Sequence, residues 1–185
     1  VKSENIEETV MSTPLFASVL GPDFAALDAC LRWVHGGEPR LLRGKVTVLR
    51  GRSLLARVLG ALTSLPRAMT EAPIDMRIGP SESGERWTRF FADCRPMESL
   101  LFSRGDRLVE VLGPAAFTFR PRREGAALEW QLERVRVLGL PLPTNCFLVT
   151  ARMEAREGRY HFLVEAALRG VGRIVRYEGF LDADA

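Results

Sequence analysis

Hydrophobic positions along this chain change period once, from helical spacing in the N-terminal third to alternation from Ile74 onward. Leu15, Phe16, Val19 and Leu20 make a short apolar turn or helix that Gly21 closes. Pro22 suits a first helical position, Asp23 complements the helix dipole, and Phe24, Leu27, Leu31 and Val34 follow at helical spacing. They predict one amphipathic helix over residues 22–35, ended by Gly36 and Gly37. A second helix starts near Ser53, a good N-cap, carries Leu54, Leu55, Val58, Leu59 and Leu62 on one side, and stops at Pro66. Its simplest reading is a core-packed helix; with Arg52 and Arg57 beside it, a lid or a membrane-surface contact is the alternative. Residues 45–49, between the helices, read as a strand.

Beyond that point Ile74, Met76 and Ile78 alternate with Asp75 and Arg77, and residues 79–84 read as a turn. Further strands fit residues 86–91, 97–102, 107–112, 115–120 and 128–137. The last changes face between Leu132 and Val135, which predicts a β-bulge or bend. A hairpin turning at Glu157-Gly158 pairs Ala155 with Tyr160, Met153 with Phe162 and Ala151 with Val164, so that every apolar residue shares one face and Glu154 opposes His161 on the other. A final strand covers residues 173–181. About nine or ten antiparallel strands joined by short turns tend to curl or close, with helices packed at one end or across one face. The expected fold class is therefore α+β: N-terminal helices followed by a long, curled, barrel-like antiparallel sheet.

Composition supports one sizeable core. The chain has 185 residues, 46% hydrophobic, with 10 Phe and 3 Trp, so folding needs no metal or disulfide staple. Residues 1–12 read as a disordered tail or an appended remnant, with Met11 as a natural start, and residues 13–185 as a single domain. The net charge is +3, but the basic residues are almost all dispersed arginines. Their tightest run, Arg120-Pro121-Arg122-Arg123, reads as a solvated turn rather than a phosphate site, and no nucleic-acid partner is expected. Cys30, Cys94 and Cys146 are far apart without zinc-ligand spacing; this sparse, odd count fits a reducing compartment, and the cytoplasm is the expected location. No apolar stretch reaches the length of a membrane span, and no signal peptide is visible.

Few residues stand out chemically. His35 ends the first amphipathic helix and reads either as a general acid or base or as a histidine stabilised by the helix C-terminal dipole. Alternation puts Glu85, Trp87 and Arg89 on one strand face. If Trp87 points inward, Glu85 and Arg89 form a polar pair in a pocket; if Phe90 is the core residue instead, they form an exposed cross-strand salt bridge. Glu110 interrupts an apolar strand, most simply from an outward position. Tyr177 is a core tyrosine or a donor to a bound carbonyl. No serine has a nucleophile-elbow setting, and no cofactor is implied. The concave face of a curled, aromatic-rich sheet suits a hydrophobic or amphipathic small molecule, with His35, Glu85, Trp87, Arg89, Glu110 and Tyr177 as candidate ligand-binding residues. The alternative is an enzyme using His35, Glu85 or Tyr177 in acid–base chemistry, which needs two of them at one cavity; no catalytic residue is assigned.

Five stretches resemble one known family. Gly84-Glu85-Arg86-Trp87-Thr88-Arg89-Phe90 is similar to the GE-W-R-F motif of the domain-of-unknown-function family DUF4166. Leu31-Arg32-Trp33-Val34-His35, Arg50-Gly51-Arg52-Ser53-Leu54-Leu55-Ala56-Arg57, Leu138-Gly139-Leu140-Pro141-Leu142-Pro143 and Arg173-Ile174-Val175-Arg176-Tyr177-Glu178-Gly179-Phe180-Leu181 resemble four further elements of its pattern, in order. Glu178 and Phe180 stand where that pattern usually has Arg and Trp. Members of the family sometimes follow an NAD(P)-binding Rossmann domain of saccharopine-dehydrogenase type. The resemblance thus implies an accessory, dimerisation or substrate-handling module for a Rossmann-type oxidoreductase. This chain has no GxGxxG of its own.

Overall fold

The computed structural model describes residues 13–183; the expected tail over residues 1–12 lies outside the described residues. Three short helices come first: α1 (Leu15–Leu20), α2 (Pro22–Ala25) and α3 (Ala29–Val34). The helix expected over residues 22–35 is broken because Asp28 leaves the helical conformation and accepts a hydrogen bond from the Cys30 N–H, which caps α3. β1 (Arg40–Arg50) follows and is longer than the strand expected there; then comes α4 (Leu54–Leu62), whose first turn is held by the Ala56 N–H on Ser53 Oγ.

The rest is sheet. β2 (Met69–Ser81), β3 (Gly84–Phe91), β4 (Met97–Arg104), β5 (Arg107–Leu112), β6 (Ala115–Glu124) and β7 (Ala127–Val137) form an antiparallel meander. The short β8 (Leu140–Leu142) follows, then a single 3-10 turn, β9 (Phe147–Arg156), β10 (Arg159–Leu168) and β11 (Gly172–Asp182). β7 pairs with both β6 and β9, and β1 pairs with β11, so ten strands close into an antiparallel barrel with β8 attached outside the ring. The α+β expectation resolves into a closed barrel that is mostly sheet, with few helices. Closure leaves no long unpaired edge in the ring.

The registers follow the alternation of the sequence. In the β9–β10 hairpin Ala155 faces Tyr160, Met153 faces Phe162, Ala151 faces Val164 and Glu154 faces His161. Glu157 and Gly158 both take positive φ (53° and 76°), which suits a tight two-residue hairpin turn. The bend expected in β7 is a bulge. Thr118 pairs with Arg134 and Phe119 with Leu132, which leaves Glu133 as the extra residue. The run Arg120-Pro121-Arg122-Arg123 is not a turn but the end of β6, with Pro121 buried. Arg120 and Arg122 pair with Glu133 and Glu129, so this run presents little free positive charge.

The barrel has two different ends. At one, α1 and α3 pack against β4, β6, β9 and β10 and drive Leu15, Phe16, Leu31 and Val34 into the core as a plug. At the other, α4 lies along β11, and its C-terminal end reaches the β5–β6 turn, where a side chain at Gly113 would meet the Leu62 carbonyl at 2.8 Å. The β7–β9 ladder stops at Gln131–Thr150. Beyond the bulge β7 pairs with β8 instead, so β7 and β9 part towards this second end. No helix among the described residues is long and apolar enough to cross a membrane.

Candidate functional site

The barrel interior holds a cavity of about 180 Å³. Its floor is formed by Trp87, Trp130 and Tyr160, and its lining rises past Met153 and Val164 to Leu65 and Phe147 at the end that the N-terminal helices leave open. Alternation sets this lining, because β3, β9 and β10 each send every second side chain inward. Below the floor, Phe16 stacks against Trp87 and tilts against Trp130 at 5.9 and 5.8 Å between ring centroids, and the His35 ring lies 4.1 Å from that of Phe16. The aromatic floor is thus sealed from beneath by the helical plug.

Trp87 points inward, and Glu85, Arg89 and Phe91 share its buried face. Phe90 lies on the opposite face, half-buried under the Arg77 guanidinium at 5.0 Å, so the exposed salt-bridge reading of this strand is overturned. Glu85 and Arg89 are both inside but do not pair with each other. Trp87 Nε1–H donates to Glu85 Oε2 at 2.8 Å. Arg89 donates through Nη1 to Ser99 Oγ at 3.1 Å and through Nη2 to Glu110 Oε1 at 3.4 Å, with its guanidinium 5.3 Å from the Trp87 ring centre. Glu110 therefore faces inward, against the outward position expected for it: its strand neighbours Leu108 and Leu112 share that inward face, and the Arg89 charge compensates its burial.

Of the six candidate residues, Trp87, Arg89, Glu110 and Tyr177 line the cavity, while His35 and Glu85 do not. His35 is fully buried, and burial lowers its pKa to about 3, so it is neutral at physiological pH. This removes the dipole-stabilised imidazolium from the possibilities for His35. Its Nε2 lies 3.2 Å from the Tyr160 hydroxyl. Burial raises the Tyr160 phenol well above its usual range, opposed by the nearby Arg89 charge. Burial also raises the Glu85 carboxyl, opposed by the hydrogen bond from Trp87. Tyr177 is raised by burial too, again opposed by Arg89. Of the three acid–base candidates only Tyr177 reaches the cavity, so no two of them meet there.

Two features of the interior were missed at the level of sequence. Tyr160 was assigned to the core face, but its partnership with His35 links positions 125 residues apart and leaves no local trace. Ser99, which fixes Arg89, sits opposite Trp87 on β4, a register that no pattern within either strand reveals.

Fold and interior together define a closed antiparallel β-barrel with a largely apolar cavity crossed by one buried ion pair. The chain belongs to the family described as domain of unknown function (DUF4166), whose sequence model matches residues 27–181. No curated protein matches it. The stretches that resemble the family's pattern fall on the plug at α3, the β1–α4 passage, β3, the β7–β8 turn and β11.

Proposed function

We propose that the barrel is a binding module for a small hydrophobic or amphipathic molecule whose apolar part enters the cavity. The observation that carries this reading is the cavity itself: an apolar, aromatic-floored space in which Arg89 and Glu110 are the charged groups. Its roughly 180 Å³ exceeds the ~150 Å³ of an engineered apolar cavity that takes up benzene. It falls short of the roughly 300 Å³ at which drug-sized pockets begin. The ligand class that fits is a slim alkyl chain or a single ring, not a sterol. Arg89, already committed to Glu110 and Ser99, would orient a carboxylate or hydroxyl without being left unpaired.

The experiment is native mass spectrometry of the purified chain, followed by a thermal-shift series with medium-chain fatty acids and the matching alcohols. Retention of a ligand, or a rise in melting temperature that tracks chain length and disappears in Ala151→Phe and Val164→Phe, supports the reading. A ligand-free protein with no shift at any chain length rules it out.

A further inference from the structure

The open end of the barrel presents a surface unlike any other part of the molecule. The most exposed large hydrophobic residues are Leu138 (79%), Leu54 (74%), Leu140 (69%) and Leu62 (57%), and all four lie there. Val58, Leu142 and Leu148 add to them. Of the apolar side of α4 that was expected on the core, Leu54, Val58 and Leu62 face solvent, while Ala56 is buried. The segments that carry these residues adjoin through their backbones. Leu62 closes against Gly113, and Pro114, next along the chain, accepts a hydrogen bond from the Leu138 N–H at 2.9 Å. The 3-10 turn before β9 is tied to the β10–β11 turn by the Arg169 N–H on the Cys146 carbonyl at 2.9 Å.

Charge at this end is predominantly positive, although Asp93 of the β3–β4 turn and Glu71 near the start of β2 are exposed there as well. Residues 51–70 contain Arg52, Arg57 and Arg67 and no Asp or Glu; residues 134–151 contain Arg134 and Arg136 and none; the β10–β11 turn adds Arg169, while Arg173 and Arg176 beyond it are paired with Glu165 and Glu178. Among the described residues, Arg52, Arg57, Arg67, Arg134, Arg136 and Arg169 are exposed at this end and have no carboxylate partner; on the barrel wall and at the closed end Arg107, Arg120, Arg152 and Arg159 are ion-paired, while Arg43, Arg77, Arg104 and Arg123 are exposed without one. Exposed leucines standing among unpaired guanidinium groups around a cavity mouth match a surface that is anionic at its face and apolar just beneath it.

We infer that this protein docks by its open end on an anionic lipid bilayer, with Leu54, Val58 and Leu62 of α4 and Leu138 and Leu140 of the β7–β8 turn entering the interface and the surrounding arginines meeting the headgroups. Each apolar side chain gains by leaving water, and each arginine gains from the negative surface potential. Docking of this kind is peripheral and needs no spanning helix. It goes beyond the ligand reading and stands whether or not the cavity is ever filled, although it would place the cavity mouth against a source of apolar molecules.

Vesicle flotation with the full chain tests it. Vesicles of phosphatidylcholine mixed with phosphatidylglycerol should carry the protein, and vesicles of phosphatidylcholine alone should carry far less. Arg52→Glu/Arg57→Glu should weaken binding to the mixed vesicles by roughly tenfold or more. Leu54→Ser/Leu62→Ser should weaken it similarly and make what remains vanish at high salt. Leu138→Ser/Leu140→Ser, on an element separate from α4, should do the same, so misfolding of α4 cannot mimic the result. Leu41→Ser, an exposed leucine near the closed end, should change nothing. Absence of flotation with either vesicle, or equal flotation of all variants, overturns the inference. So does a stable dimer that the leucine substitutions dissociate while no vesicle binds, because a second copy would then be what covers this face.

Discussion

The Tyr160 hydroxyl stands 3.2 Å from His35 Nε2, across 125 positions of sequence, and joins the β9–β10 hairpin to the end of the helical plug. His35 sits in the core with a pKa near 3, against an ordinary 6.5. Between those values an unfolded chain binds a proton that the folded one refuses. The stability due to a neutral His35 is therefore complete above about pH 6.5 and is lost as pH falls towards 3, at up to about 1.4 kcal/mol per pH unit. His35→Phe keeps a ring against Phe16 and Trp87 and removes the titration. Urea unfolding of both proteins from neutral pH down to about pH 4.5 should give a shallower pH dependence for the variant; parallel curves would contradict the assignment.

How far the sequence could be read follows from the distance over which each feature acts. The Ala155–Tyr160 register and the bulge at Glu133 were legible, because period-two alternation is local and a change of face marks the extra residue. The break at Asp28 was legible in principle, since Asp before Ala-Cys is a ready N-cap, but helical spacing running through it from Phe24 to Val34 masked the signal. The inward turn of Glu110 was not legible: a carboxylate among apolar strand residues reads as outward unless its partner is known, and that partner is on β3, two strands away in the sheet. Nor was the exposure of Leu54, Val58 and Leu62 on α4. Apolar spacing states that a face avoids water and leaves open whether a core or another surface covers it.

Arg89 and Glu110 should behave as a unit. Their side chains are 9% and 14% exposed, so removing one leaves the other charged and nearly dry. Arg89→Met alone is expected to cost about 3 kcal/mol, as is Glu110→Leu, while the double variant should recover most of the loss, because a buried ion pair replaced by apolar groups of similar volume is often close to neutral. Chemical denaturation of the four proteins closes the cycle. Additive losses would show that the two charges are independently solvated through the cavity.

Glu85 poses the opposite case. Its carboxyl is raised by burial; one oxygen takes the Trp87 Nε1–H, and the other has no hydrogen-bond partner among the described residues. A carboxyl raised on folding binds more protons in the native state, so it contributes stability below its unfolded pKa and loses it as pH rises through the folded one. Glu85→Gln keeps an acceptor for Trp87 and removes the charge. The variant should melt higher than the parent at pH 8, with the advantage shrinking as pH approaches 4. A difference in melting temperature that does not vary with pH would point away from ionisation.

The seam that closes the barrel depends on two glycines for a steric reason. β1 and β11 approach so closely that a Cβ on Gly44 would lie 1.8 Å from the Phe180 carbonyl oxygen and one on Gly179 would lie 2.0 Å from the Lys45 carbonyl oxygen. Both obstacles are backbone atoms held in the ladder that pairs Lys45 with Phe180, so neither can turn aside as a side chain would. Gly44→Ala or Gly179→Ala must push the strands apart, at a cost of about 3 kcal/mol or more. Gly79, in β2, has no atom within 4 Å of where its Cβ would stand, so Gly79→Ala should be neutral or stabilising by about 0.5 kcal/mol, through the smaller backbone entropy of the unfolded chain. Because the seam joins the first and last strands of the ring, its opening should appear as faster hydrogen exchange at the β1 and β11 amides, with the β3–β4 amides less affected. Equal loss of protection around the whole barrel would mean that closure and the meander fold as one unit, and that the seam has no separate opening.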